Sequence, residues 1–173
     1  MPDRRSFLVG GSVLMTHAAF GEVVRAFAAS PRKATFFTDA ELRTLAVLVD
    51  VVLPATDSPA ASAADTHNFI DLALPVCASP GAQRAFRTGL SALMSENFEG
   101  LAPESRTRLL RERAEREAAL PYDESFFRIL KDYTLTGYFL SEIGATQALA
   151  YERVPGGYQG DLPLAPNQKA WAL

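Results

Sequence analysis

The chain is poor in the residues that carry most catalytic chemistry. Cys77 is the only cysteine in 173 residues, so no disulfide can form within the chain. A lone thiol in an apolar stretch reads as a small buried hydrophobe. Histidine is nearly as scarce, with two in all. His67 lies beside Asp65 and Asp71, but no second histidine or cysteine stands at a ligand spacing, which argues against a metal site. A net positive charge is also missing, because 17 basic side chains stand against 20 acidic ones and the formal net charge is −3. Residues 1–28 hold three basic and two acidic side chains, leaving 14 against 18 in the remainder. That balance disfavours a nucleic-acid or anionic-membrane partner.

Other absences narrow the reading further. No set of alternating strands and no internal repeat is visible. No nucleophile-elbow sequence places a serine on a strained turn. The run Gly156-Gly157-Tyr158-Gln159-Gly160 is rich in glycine, yet it follows no strand and opens no helix, so it fails the dinucleotide-loop context. Asp50 and Asp57 flank a proline loop and could form a carboxylate pair, but capping and turn roles explain both more simply. No catalytic constellation and no cofactor fingerprint emerges.

What is present begins with DRRSFLVGGSV. A charged start followed by a short apolar stretch, here Leu8 to Phe20, is the pattern of an export signal. The stretch is too short to span a bilayer comfortably. Glu22 and Arg25 close it, and Ala26-Phe27-Ala28 supplies a small-x-small site. Arg4 and Arg5, with Phe7 and Leu8 behind them, resemble the twin-arginine signal, without the lysine often found after the leucine. Such an address is read by a receptor and is not an anchor. The competing reading is an ordinary amphipathic helix that starts with two arginines. Because the twin-arginine route carries prefolded proteins, its use implies a bound cofactor or a travelling partner.

Beyond the signal the pattern is helix after helix. Residues 29–37 read as a linker and 38–173 as one helical domain, extended from about 145 onward. Thr38 to Glu41 has the form of a capping box. Leu42, Leu45, Ala46, Val49 and Leu53 follow at helical spacing until Pro54 stops them. PATDSPAASAAD reads as loop. Phe69, Leu72, Ala73 and Val76 mark a second helical face, which Pro75 should kink or shorten. Phe86, Leu90 and Leu93 line a third helix, and Pro103 marks a further helix start. The Arg/Glu run over 106–117 reads as a solvated helix face rather than an anion-binding stripe. Phe126, Phe127, Leu130, Tyr133, Gly137 and Tyr138 give the densest aromatic helix. The expected fold is all-α with an extended C-terminal tail.

Three stretches carry a family resemblance: VDVVLPATDSPAA, NFIDL, and DYTLTGYFLSEIGATQALAYERVPGGYQGDLPL. Together they resemble the gluconate 2-dehydrogenase subunit 3 family, over roughly Phe36 to Trp171. The resemblance implies the small, or gamma, subunit of a periplasmic dehydrogenase acting on a sugar, glycoside or sugar acid. It implies no cofactor in this chain. FAD would lie in the catalytic large subunit, and haem in the cytochrome c subunit that commonly accompanies such complexes. The small subunit would be non-catalytic, assisting folding of its partner and carrying it through the twin-arginine translocase to the periplasm.

A partner surface is also expected on physical grounds. The tail has too little periodicity to fold alone, yet it carries Tyr151, Val154, Tyr158, Leu162, Leu164 and Trp171. Chain ends are poorly ordered unless they dock, and aromatic anchors with little charge between them suit interface cores. The alternative is that the tail wraps its own helices. At the level of function, the alternatives are a free-standing exported helical binding or chaperone module, and an independent periplasmic enzyme using Asp50, Asp57 and His67.

Overall fold

The computed structural model describes residues 36–151, 156, 161, 163, 166 and 168–171. The signal residues Arg4, Arg5, Phe7 and Leu8 lie outside this set, as do Val154, Tyr158, Leu162 and Leu164. Among the described residues the structure is helical, and its one β feature is an isolated parallel bridge between Ala150 and Trp171. The all-α expectation holds for this part of the chain.

Helix α1, Asp39–Val52, starts at the expected capping box. The Thr38 N–H donates to Glu41 Oε2 at 2.8 Å, and the Glu41 N–H returns to Thr38 Oγ1 at 3.3 Å. Two otherwise orphaned donors are thereby satisfied. The helix stops just before Pro54, whose ring disfavours a helical residue ahead of it. PATDSPAASAAD is not all loop. Ala61–Ala64 form a 3₁₀ turn with Ala61 and Ala64 buried, because small side chains let this backbone lie directly on α1.

Helix α2, Thr66–Cys77, contains Pro75 in its last turn and ends two residues later. The carbonyls of Pro75 and Ala78 accept from Gln83 Nε2 at 3.2 and 3.0 Å, which satisfies the helix end. Its buried face is Phe69, Ile70, Ala73, Leu74 and Cys77, whereas Val76 is 57% exposed. The expected face was therefore set slightly wrong around the helix at its C-terminal end. Cys77, as expected, is a buried free thiol.

Helix α3, Pro80–Ser95, opens with proline in its first turn and a Ser79 cap, Oγ accepting from the Ala82 N–H at 3.1 Å. Helix α4, Pro103–Glu117, has one fully buried residue, Leu110. Helix α5, Phe126–Phe139, buries Phe126, Ile129, Leu130, Tyr133, Thr134, Gly137 and Tyr138.

Helix α5 is the hub and touches each of the other four helices. Its close approach to α3 depends on Gly89, where an added Cβ would lie 2.2 Å from Phe126 Cγ. The Phe126 ring then meets Phe86 with centroids 5.2 Å apart, inside the range of favourable aromatic pairs. Each fully buried large apolar side chain contributes about 1.5–3 kcal/mol through removal from water.

Two boundaries differ from expectation. Phe36 and Phe37, read as the end of a linker, belong to the folded domain: Phe37 is buried and both rings pack on the core. At the other end, Gly144–Ala148 form a π-helical turn, so extended backbone starts at Leu149 rather than near 145. Gly144 permits this turn, since a Cβ there would sit 2.0 Å from the Tyr138 carbonyl oxygen.

Candidate functional site

A concave feature lies where the end of α2, the start of α3, the turn Tyr122–Glu124 and α5 meet. It is a pocket of about 420 Å³, within the size range of ligand and anchor sites. Its apolar walls come from Phe69, Cys77, Ala78 and Ala82. Tyr122 and Tyr133 add aromatic surface, while Ser79, Asp123, Asp132 and Thr136 supply polar groups. Ser79 Oγ donates to Asp123 Oδ2 at 2.7 Å, which ties the helix cap to the pocket rim.

The electrostatics of this pocket are those of neutral donors beside carboxylates. Burial pushes the Tyr122 phenol up to about 12, aided by the Asp132 charge, a hydrogen bond to Asp132 and the Asp123 charge, with Arg128 pulling the other way. Burial likewise raises the Tyr133 phenol, with Cys77 and Tyr122 contributing. Burial also pushes the Cys77 thiol up. At neutral pH all three groups keep their protons, and reactive thiols are the opposite case, with lowered values.

The candidates from the sequence fall elsewhere. Asp50 accepts from the Ser62 N–H and Ser62 Oγ, both at 2.7 Å, and so holds the turn Ala61–Ala64. Asp57 accepts from Thr56 Oγ1 at 2.9 Å, a hydrogen bond that lowers its carboxyl below the ordinary value. These are the capping and turn roles expected of them. His67 Nε2 stands 3.8 Å from Asp65 Oδ1 and 3.3 Å from Asn68 Nδ2. Asp71 instead receives the N–H groups of Phe36 and Phe37 through Oδ1. Among the described residues no group of three His, Cys, Asp or Glu could hold a metal.

The Arg/Glu helix is only partly the solvated face that was expected. Arg108 and Glu112 form an exposed pair at 3.9 Å. Arg113 and Glu117, 3.8 Å apart, are both mostly covered. Glu117 Oε2 accepts from Ser125 Oγ at 3.0 Å and from the Phe127 N–H at 2.8 Å, so α4 caps the start of α5. Arg106 Nε donates to the Phe98 carbonyl at 3.2 Å and a second guanidinium nitrogen reaches the Glu99 carbonyl.

Of the six tail residues expected at an interface, Tyr151 and Trp171 are described, and they are 58% and 54% exposed. The backbone places them near each other. The Ala150 N–H donates to the Ala170 carbonyl at 2.7 Å, Ala150 bridges Trp171, and Lys169 Nζ reaches the Gln147 carbonyl. The pocket around Tyr122 and Asp132 was not anticipated. Its sequence signal is the pair of tyrosine–aspartate neighbours, Tyr122-Asp123 and Asp132-Tyr133, either side of the aromatic helix start.

Comparison with known proteins bears on what such a molecule belongs to. No curated protein and no solved structure matches the chain. The family described as Gluconate 2-dehydrogenase subunit 3 matches residues 39–156. The match takes in the five helices of the described residues and the π-helical turn, and stops short of the stretch to Trp171 that the resemblance had included. Covering well over half of the sequence, it assigns the chain: this protein belongs to the gluconate 2-dehydrogenase subunit 3 family.

Proposed function

We propose that this chain is the non-catalytic small subunit of a periplasmic FAD-dependent dehydrogenase that oxidises a sugar, glycoside or sugar acid. It binds the catalytic large subunit, assists its folding and carries it through twin-arginine export. FAD belongs to the large subunit, and haem to an associated cytochrome c where one is present. The observation that carries the reading is family membership over the whole helical domain. A further feature supports it. Tyr151 and Trp171 are both exposed, and the bridge between Ala150 and Trp171 brings the two stretches of backbone that carry them alongside each other.

The test is capture of the large subunit from a co-expressing strain by the tagged full chain. Wild type is expected to bring down a flavin-containing dehydrogenase in stoichiometric amount. Replacing Tyr151 and Trp171 by Ala should weaken capture strongly, since an anchoring aromatic is worth about 2 kcal/mol or more. Turnover by the chain alone, or no flavoprotein on the wild-type chain, would refute the reading.

A further inference from the structure

The pocket beside Tyr122 has a chemical preference of its own. Its interior is apolar and aromatic, whereas its rim carries two carboxylates, Asp123 and Asp132. Among the described residues, neither carboxylate has a Lys or Arg nitrogen within 4.0 Å. The nearby cation, Arg128, is turned elsewhere: its Nη1 donates to the Leu120 carbonyl at 3.1 Å, and its guanidinium lies 5.6 Å from the Tyr122 ring centroid. The Ser79 hydroxyl holds the Asp123 carboxylate in place, and the Tyr122 phenol lines the same pocket as Asp132. Two carboxylates beside an aromatic-walled cavity match a cation on an aliphatic stem. The walls cover the methylenes, the ring faces attract the positive head, and the carboxylates accept its N–H groups.

We infer that this pocket is an anchor site for a basic side chain, arginine or lysine, presented by the large subunit. The inference rests on the proposed function, and it adds a second contact, separate in sequence from Tyr151 and Trp171 and driven by charge. The occupant is assigned to the large subunit because the small-subunit family associates with a larger catalytic chain. The other occupants, a second copy of this chain or a free organic cation, are outcomes of the test.

The experiment uses the full chain and the large subunit, with affinity measured at low and high salt. Two variants are compared with wild type: Asp123→Asn with Asp132→Asn, which removes the charges but keeps the shape, and Thr136→Arg. Thr136 is an exposed pocket residue one helical turn beyond Asp132, so a basic side chain there occupies the site from within. Both variants should bind at least tenfold more weakly, and the double variant should lose most of the salt dependence. Cys77, the only cysteine, lies in the pocket wall, and its alkylation should slow on complex formation in wild type. If wild type holds the large subunit and both variants hold it equally tightly, the anchor assignment falls while the proposed function stands. If wild type holds no large subunit, the proposed function falls and takes this occupant with it. Self-association of the wild-type chain that Thr136→Arg abolishes would assign the pocket to a second copy instead. Butylguanidinium that binds wild type but does not compete with the large subunit would equally overturn the assignment.

Discussion

The carboxylate of Asp71 and the backbone of Phe37 hold the start of the domain in place. Asp71 is buried on α2, and its Oδ1 accepts from the Phe37 N–H at 2.7 Å and the Phe36 N–H at 2.9 Å. The Phe37 ring then packs on Phe86 with centroids 5.6 Å apart, and the Arg87 guanidinium lies 3.9 Å from the centroid of the Phe36 ring. The start of the described domain is thereby tied to α2 and α3.

Removing that acceptor should be costly. Asp71→Ala leaves two N–H groups without their partner, and the expected loss is about 3 kcal/mol. Asp71→Asn retains an oxygen in the same place and should lose less. Urea midpoints of the two variants check this, and an Asp71→Ala loss below about 1 kcal/mol would contradict the anchoring role.

The contact between α3 and α5 makes a second prediction. Gly89→Ala would drive a methyl into Phe126, whose ring is fully enclosed and cannot swing aside. Overpacking of this kind costs about 1–3 kcal/mol, although alanine is the better helix former. Thermal unfolding should show a lower midpoint for Gly89→Ala. A midpoint equal to wild type would mean that the two helices can separate freely.

Alkaline pH should destabilise the protein through Tyr122, with the buried Tyr133 phenol adding to the effect. Its phenol is raised to about 12 by burial and by Asp132, whereas the unfolded chain releases the same proton near the ordinary value of about 10. Below about 10 both states are protonated and the stability is fully present. Between about 10 and 12 the unfolded state binds fewer protons, so stability falls as pH rises. Tyr122→Phe should flatten that fall. Tyrosinate absorbance of the folded protein should show this phenol titrating late, and titration at the ordinary value would refute the burial argument.

Export should depend on the arginine pair. Under the proposed function, Arg4→Lys combined with Arg5→Lys should leave both this chain and the large subunit in the cytoplasm, because a twin-arginine receptor reads the pair and the described helices start far downstream. Fractionation followed by a dye-linked dehydrogenase assay checks this. Normal periplasmic activity in the double variant would count against carriage of the large subunit.

Local chemistry made much of the helical order readable in advance. Thr38 and Glu41 close a cap across three residues, and Pro54 and Pro103 mark an end and a start through their own ring geometry. The family resemblance rested on the same kind of continuous stretch. Two faces were misread where a short pattern had to stand for three-dimensional packing. Val76 is exposed because α2 runs out beside Pro75, and Glu117 is covered because α4 ends against the start of α5.

The sequence by itself determined that the chain is cysteine-poor, acidic and largely helical, since capping at Thr38, proline geometry and 3.6-residue periodicity act within a few positions. Only the tertiary structure decided that Asp71 binds Phe36 and Phe37, that Gly89 receives Phe126, and that Tyr122, Asp123, Asp132 and Cys77 surround one pocket. Those relationships join residues far apart along the chain. They exist because helices closing over a shared core bring particular side chains together, and no local propensity encodes which ones will meet.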